Sequence, residues 1–108
     1  MDQSEVLKFE QQTRITKLSQ AIRNGHKLIR ESHTGFLACG AGCALGAAWV
    51  GSGKTENEYL CGRSDMLFKH LEKYCGVPLE VLNSVSRWHF WDRVPRLQIA
   101  DKLEEMGY

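Results

Sequence analysis

Four histidines (His26, His33, His70, His89) and four cysteines (Cys39, Cys43, Cys61, Cys75) are the residues of this chain best suited to acid–base, nucleophilic or metal chemistry. Nucleophilic catalysis needs a nucleophile, a base within hydrogen-bond reach and a group that orients the base. No such set is identifiable along the chain, and His70, beside an apolar stripe, reads as a packing or capping residue. No catalytic residue is assigned, and the chain is read as a non-enzyme. Structural zinc asks for tightly spaced Cys and His. Three residues separate Cys39 from Cys43 and thirteen separate Cys61 from Cys75. Neither spacing is a zinc knuckle, and although His33 or His70 could be added, nothing local requires it. No metal or cofactor is expected. The cysteines read as small buried hydrophobes. In a secreted chain they could pair in three ways; with a polar start, Met1-Asp2-Gln3-Ser4-Glu5, in place of a secretory leader, reduced cytosolic thiols are expected.

Two further motifs invite a function and meet a contrary context. Ala48-Trp49-Val50-Gly51-Ser52-Gly53-Lys54-Thr55 satisfies a relaxed phosphate-loop pattern, in which backbone amides cradle phosphates, Lys54 reaches the β/γ oxygens and Thr55 holds magnesium. Such a loop follows a buried parallel strand, but Cys43–Val50 is rich in Ala and Gly and poor in β-branched residues. A flexible Gly-Ser-Gly loop is expected instead. The uncharged stretch Gly35–Gly53, with Gly42 and Gly46 four apart, suggests a membrane helix with a dimer face. Six of its nineteen residues are Gly, and only Phe36, Leu37, Leu45, Trp49 and Val50 are strongly apolar. Tight core packing is the expected role, with no membrane partner.

The segment from Arg87 to Arg96 mixes cations with aromatic rings. Such a surface can bury aromatic and Arg anchors against a protein, or stack bases and grip phosphates. Arg87, Trp88, Phe90, Trp91, Arg93 and Arg96 are taken as the candidate partner-binding residues. The plainer alternative is that Trp88 and Trp91 pin the last helix to the core while their arginines are solvated. Arg96–Leu103 resembles the first helix of a helix-turn-helix, but no recognition helix follows before Tyr108.

These residues need elements to position them. With 108 residues, 43% hydrophobic and 25% charged, the composition is that of one soluble domain, 1–108. A net charge of +1 gives no global signature for nucleic acid, membrane or acidic substrate. Asp2 and Glu5 have capping-box spacing, which predicts a short helix to Gln12. Ile15, Leu18, Ile22 and Ile29 recur at helical spacing, predicting an amphipathic helix interrupted or bent at Asn24-Gly25. Phe36-Leu37-Ala38 reads as extended, Cys43–Trp49 as a small-residue helix, and Gly51–Asn57 as a polar loop. Ser64-Asp65 reads as a cap for the stripe Leu67, Phe68, Leu71, Tyr74 and Cys75, closed by Gly76 and Pro78. Leu79, Leu82 and Val85 begin a short helix, Arg87–Arg93 makes a bulky connection, and Pro95 opens a last helix through Ile99, Ala100, Leu103 and Met106. The expectation is an all-α or mostly α fold of about five helices, with one short hairpin at most.

Two stretches carry a resemblance. Lys17-Leu18-Ser19-Gln20-Ala21-Ile22-Arg23, leading to Cys43-Ala44-Leu45-Gly46-Ala47-Ala48, resembles a family of short, uncharacterised bacterial and prophage proteins. Val81-Leu82-Asn83-Ser84 through Trp88, then Ile99-Ala100-Asp101-Lys102-Leu103-Glu104, looks like that family's ending. The chain departs from it at Ser84, where the family is acidic, at Lys102, where it has tryptophan, and in the added bulk around Phe90-Trp91. The resemblance covers about two thirds of the chain. It implies a mobile-element origin and a small helical fold, with no established activity and no metal site to carry over. Together these readings predict a cytoplasmic, phage- or prophage-type accessory protein that binds a host or phage macromolecule, as an inhibitor or modulator of a protein. A nucleic-acid-associated transcriptional or defence regulator using residues 87–96 is the alternative.

Overall fold

The computed structural model describes residues 16–60 and 62–108; the expected N-terminal helix to Gln12, Ile15 and Cys61 lie outside the described residues. The fold is mostly α. Its elements run α1 (Leu18–His26), β1 (Arg30–Glu31), β2 (Leu37–Ala38), β3 (Ala41–Gly42), α2 (Ala44–Gly51), a 3-10 turn (Glu56–Glu58), α3 (Ser64–Cys75), α4 (Leu79–Phe90) and α5 (Arg96–Glu105).

The small-residue segment forms the central helix. Ala44, Leu45, Gly46, Ala47, Ala48 and Trp49 are all buried, so α2 is covered on every side rather than along one stripe. Its lack of charge is explained by that position, since each of its faces meets another element. Helix α1 lies against it so closely that no side chain fits between them. A Cβ on Gly25 would stand 1.7 Å from the Ala47 carbonyl oxygen, and one on Gly51 would stand 1.9 Å from that of Ala21. Leu18 and Ile22 of α1 then reach the shared core with Leu45, Trp49, Leu67, Leu71, Leu82, Val85, Ile99 and Leu103. Helix α5 closes the other side of α1, where Arg23 pairs with Asp101 at 2.8 Å and with Glu104 at 3.1 Å.

The expected hairpin is present and gains a third strand. β2 and β3 pair antiparallel across Cys39-Gly40, and β1 joins β3 in parallel, giving the order β1-β3-β2. Cys39 and Gly40 have φ of 54° and 74°. Two consecutive left-handed residues are what a tight two-residue hairpin loop needs for its twist.

Several boundaries differ from the sequence reading, among them α2, which starts after Cys43 and runs on to Gly51 instead of ending at Trp49. Helix α1 is interrupted at His26, next to the expected Asn24-Gly25 break, and does not resume toward Ile29, because the Gly25 carbonyl takes the amides of Leu28 and Ile29 and the chain leaves as a strand. Arg63, not Ser64, occupies the N-cap of α3, with Ser64 its first helical residue. Arg87–Phe90 is not a connection: α4 continues to Phe90, with His89 supplying the last buried position of its inner face. Gly76, with φ of 63°, ends α3 as its stripe predicts. The fold therefore leaves only Trp91–Pro95 to join α4 to α5.

Candidate functional site

The short α4–α5 connection is held by both its neighbours. The amides of Trp91 and Asp92 donate to the Arg87 carbonyl, and the Val94 amide donates to that of Trp88 at 3.0 Å. Arg93 sits in the left-handed region with φ of 56°. A non-glycine residue there carries local strain that the surrounding structure must hold in place. Trp91 is lifted out of the fold on this turn and is 80% exposed.

The six expected partner-binding residues separate into distinct environments. Arg87, Trp91 and Arg93 are exposed, as is Asp92 between the last two. Trp88 is half-buried, with the Lys102 ammonium 5.2 Å from its ring centroid. Phe90 is half-buried and meets Phe36 edge-on at 5.2 Å. Trp88 and Phe90 therefore belong partly to the fold, whereas Trp91 does not pin the last helix to the core.

Arg96 is a correction. It is 1% exposed and faces inward from the first turn of α5. Its Nε–H donates to His26 Nδ1 at 2.7 Å, and Nη1 donates to the carbonyls of Arg30 and Gly42 at 3.0 Å each. Nη2 donates to the carbonyls of His26 and Ile29. All five guanidinium N–H groups are thus matched. Burial pushes the Arg96 pKa down, while Glu31 opposes that shift. Arg96 ties α5 to the end of α1 and to two strands, and the surface loses one of its expected cations.

Glu31, His33 and His89 converge beside this staple from β1, the following loop and α4. Their ligand-type atoms lie within 4.8 Å of one another, the only such group of three among the described residues. Glu31 Oε2 accepts the Arg96 backbone amide at 3.0 Å. It stands 3.4 Å from His33 Nε2 and 4.0 Å from His89 Nδ1. Backbone carbonyls fix the other ring nitrogens. His89 Nε2 lies 2.8 Å from the Ser32 oxygen, and His33 Nδ1 lies 3.0 Å from the His89 oxygen. A carbonyl only accepts, so His33 Nδ1 carries the hydrogen in a neutral ring. His89 meets a carbonyl at each nitrogen, Ser32 at Nε2 and Val94 at Nδ1, and a neutral ring donates to one of the two. His33 Nε2 then turns a lone pair toward the Glu31 carboxylate, and His89 Nδ1 does so in the tautomer that donates to Ser32, the shorter of its two contacts. In the other tautomer Nδ1 donates to the Val94 oxygen at 3.1 Å. Burial pushes the His89 pKa down, aided by His33 and opposed by the Ser32 carbonyl and Glu31.

Most of the other described histidines and cysteines are occupied within the fold. His70 Nε2 lies 2.7 Å from Ser52 Oγ, the contact of a nucleophile with its base. The Ser52 hydroxyl, however, donates to the Trp49 carbonyl at 2.7 Å, so His70 is the donor in this pair. The first half of the phosphate-loop pattern, Ala48–Gly51, lies inside α2 and follows no strand, and its Thr55 carbonyl accepts from Trp49 Nε1 at 2.8 Å. Lys54 lies 5.7 Å from the centre of the Trp49 ring. Cys43 and Cys75 are buried, and desolvation pushes their pKa values up to about 11 and about 12; Cys39 is exposed. No helix among the described residues is long and apolar enough to cross a membrane.

Sequence reasoning weighed His33 and His89 singly and missed their meeting with Glu31. The only local signal is the Glu31-Ser32-His33 spacing, which places both side chains on one side of an extended segment. Compared with protein families, curated proteins and solved structures, the chain finds no match in any of the three.

Proposed function

We propose that this protein is a small binding module that engages another protein through Trp91, presented on the α4–α5 turn and flanked by Arg87 and Arg93. The observation that carries this reading is the combination of an 80% exposed tryptophan with a short, hydrogen-bonded turn that includes a left-handed arginine. A large aromatic side chain on a rigid support loses little entropy on binding and buries much area, which is why Trp and Arg dominate interface energetics. The chemistry of such a module is steric: it blocks or recruits its partner and transforms nothing. The resemblance of Lys17–Arg23 and Cys43–Ala48 to short prophage proteins supports placing it as a phage- or prophage-type accessory factor acting in the host cytoplasm, as an inhibitor or modulator.

Nucleic acid is the less favoured partner. Burying Arg96 leaves two arginines at the turn with Asp92 between them. A phosphate-tracking surface relies on several clustered cations, and a carboxylate at its centre works against it.

The test is a pull-down from nuclease-treated bacterial lysate with the tagged wild type and with Trp91→Ala. One stoichiometric protein retained by the wild type and lost by the variant is the expected result. Equal retention by both, or retention that disappears with nuclease treatment, would overturn the assignment.

A further inference from the structure

We propose that Glu31, His33 and His89 form a binding site for a single divalent transition-metal ion of the zinc type, with Glu31 Oε2, His33 Nε2 and His89 Nδ1 as its ligands. Two imidazoles and one carboxylate are a donor set suited to such an ion. The carbonyls around them match what metal-ligating histidines require, because each ring has a backbone carbonyl placed to accept the N–H of the nitrogen that does not ligate. His89 Nε2 is 2.8 Å from the Ser32 oxygen and His33 Nδ1 is 3.0 Å from the His89 oxygen. Such outer partners fix the tautomer and raise the basicity of the ligating nitrogen. Glu31 is likewise oriented, since its Oε2 accepts the Arg96 amide.

Electrostatics supplies the second argument. Glu31 Oε2, His33 Nε2 and His89 Nδ1 converge on one small region. In the His89 tautomer that donates to Ser32 all three present lone pairs there, so a cation converts mutual repulsion into attraction. The same ion displaces any Nδ1 hydrogen bond to the Val94 oxygen. The Arg96 guanidinium does not serve, because its five N–H groups are directed to other acceptors. Ligand atoms of a tetrahedral zinc site stand about 3.4 Å apart when its bonds are about 2.0–2.1 Å. The 3.4 Å from Glu31 to His33 already meets that spacing, and the 4.0 Å to His89 must close by about half an ångström. The two rings are stacked with centroids 4.1 Å apart and 18° between planes. Metal capture therefore tilts His33, the partly exposed ring on the loop, toward the fully buried His89. Three protein ligands leave a fourth position for water or for a donor from outside. Because His89 and Val94 bracket the turn, an ion here braces the segment that carries Trp91.

Co²⁺ and Zn²⁺ titrations of the purified full chain test the site, with Co²⁺ read by its visible absorption and Zn²⁺ by calorimetry. Wild type is expected to bind one ion per chain. His33→Ala and Glu31→Gln are expected to weaken binding at least tenfold while far-ultraviolet dichroism stays that of the wild type, and Cys39→Ser is expected to change nothing. His89 is left intact because its burial makes it a poor variant for a binding test. No stoichiometric binding by the wild type, as expected if a proton shared by His33 and Glu31 fills the region, overturns the proposal. So does binding that survives both variants or that is lost with Cys39→Ser. The titration needs no partner, so its failure leaves the reading of Trp91 standing.

Discussion

Arg96 and Trp91 exchange the roles that their residue types suggest. The arginine is enclosed by acceptors from four segments, and the tryptophan stands in solvent. The value of Arg96 lies in the planar fork, which reaches several carbonyls at once in a way that an ammonium with three donors does not. Arg96→Lys is therefore expected to leave buried carbonyls unpaired, at a cost of about 1–3 kcal/mol for each group left unsatisfied. Chemical denaturation should show a loss of at least about 2 kcal/mol for this charge-conserving change, and wild-type stability in the variant would refute the staple.

His70 gives a second test at the same scale. It is stacked on Tyr74, edge-on to Trp49 and within 2.7 Å of Ser52 Oγ. Burial pushes its pKa below 6.5, the Lys54 charge adds to the shift and Glu58 opposes it. A histidine depressed in the fold takes up its proton more readily when unfolded. Its contribution is complete above about pH 6.5 and is lost as the pH falls from there toward the folded value. Melting temperature is expected to drop through that window, and His70→Gln should flatten the drop. Only part of it is removed, because burial depresses His89 in the same direction.

At the scale of elements, the junction of α1 with α2 decides the packing. Backbone stands where the Cβ of any other residue at Gly25 or Gly51 would go. Alanine is the better helix former by about 1 kcal/mol, so an exposed glycine in either helix would gain from the change. Here the helices must separate, and overpacking of this kind costs about 1–3 kcal/mol. Gly25→Ala is expected to lower the unfolding midpoint in urea, and a raised midpoint would show that the two helices are not in contact at this place. The same logic accounts for the lack of charge and of bulk in Gly35–Gly53. Its small residues are spent on close approach.

For the molecule as a whole, periodicity and backbone chemistry were legible and long-range convergence was not. The stripe of Leu67, Leu71 and Cys75, closed by Gly76, is visible in the sequence because each of its signals is local. Leu37-Ala38 reads as extended and Cys43–Trp49 as a helix, but the sequence leaves open whether 35–50 is helical throughout, and the structure divides that stretch into β2, β3 and α2. The end of α4 was missed because His89 is polar in type yet faces inward on the helical period set by Val81, Leu82 and Val85. No spacing rule identifies a buried histidine whose ring nitrogens face the Ser32 and Val94 carbonyls. Arg96 was placed on the surface for the same reason: its partners are 54 to 70 residues away in the chain. The joining of Glu31 and His33 to His89 depends on how α4 crosses the small sheet, and that geometry is set by the core and not by any local pattern.

The central claim is that one exposed side chain, Trp91, provides the anchor for a protein partner. Calorimetric titration of the retained partner into wild type and Trp91→Ala, at low and at moderate salt, tests it most directly. Truncating an interface anchor costs about 2 kcal/mol or more, equivalent to a Kd weakened by more than tenfold. A largely apolar contact should change little with salt, and an 80% exposed side chain should leave the melting temperature unchanged when it is removed. An affinity that ignores Trp91, or one that collapses as salt rises in the manner of phosphate binding, would contradict the account.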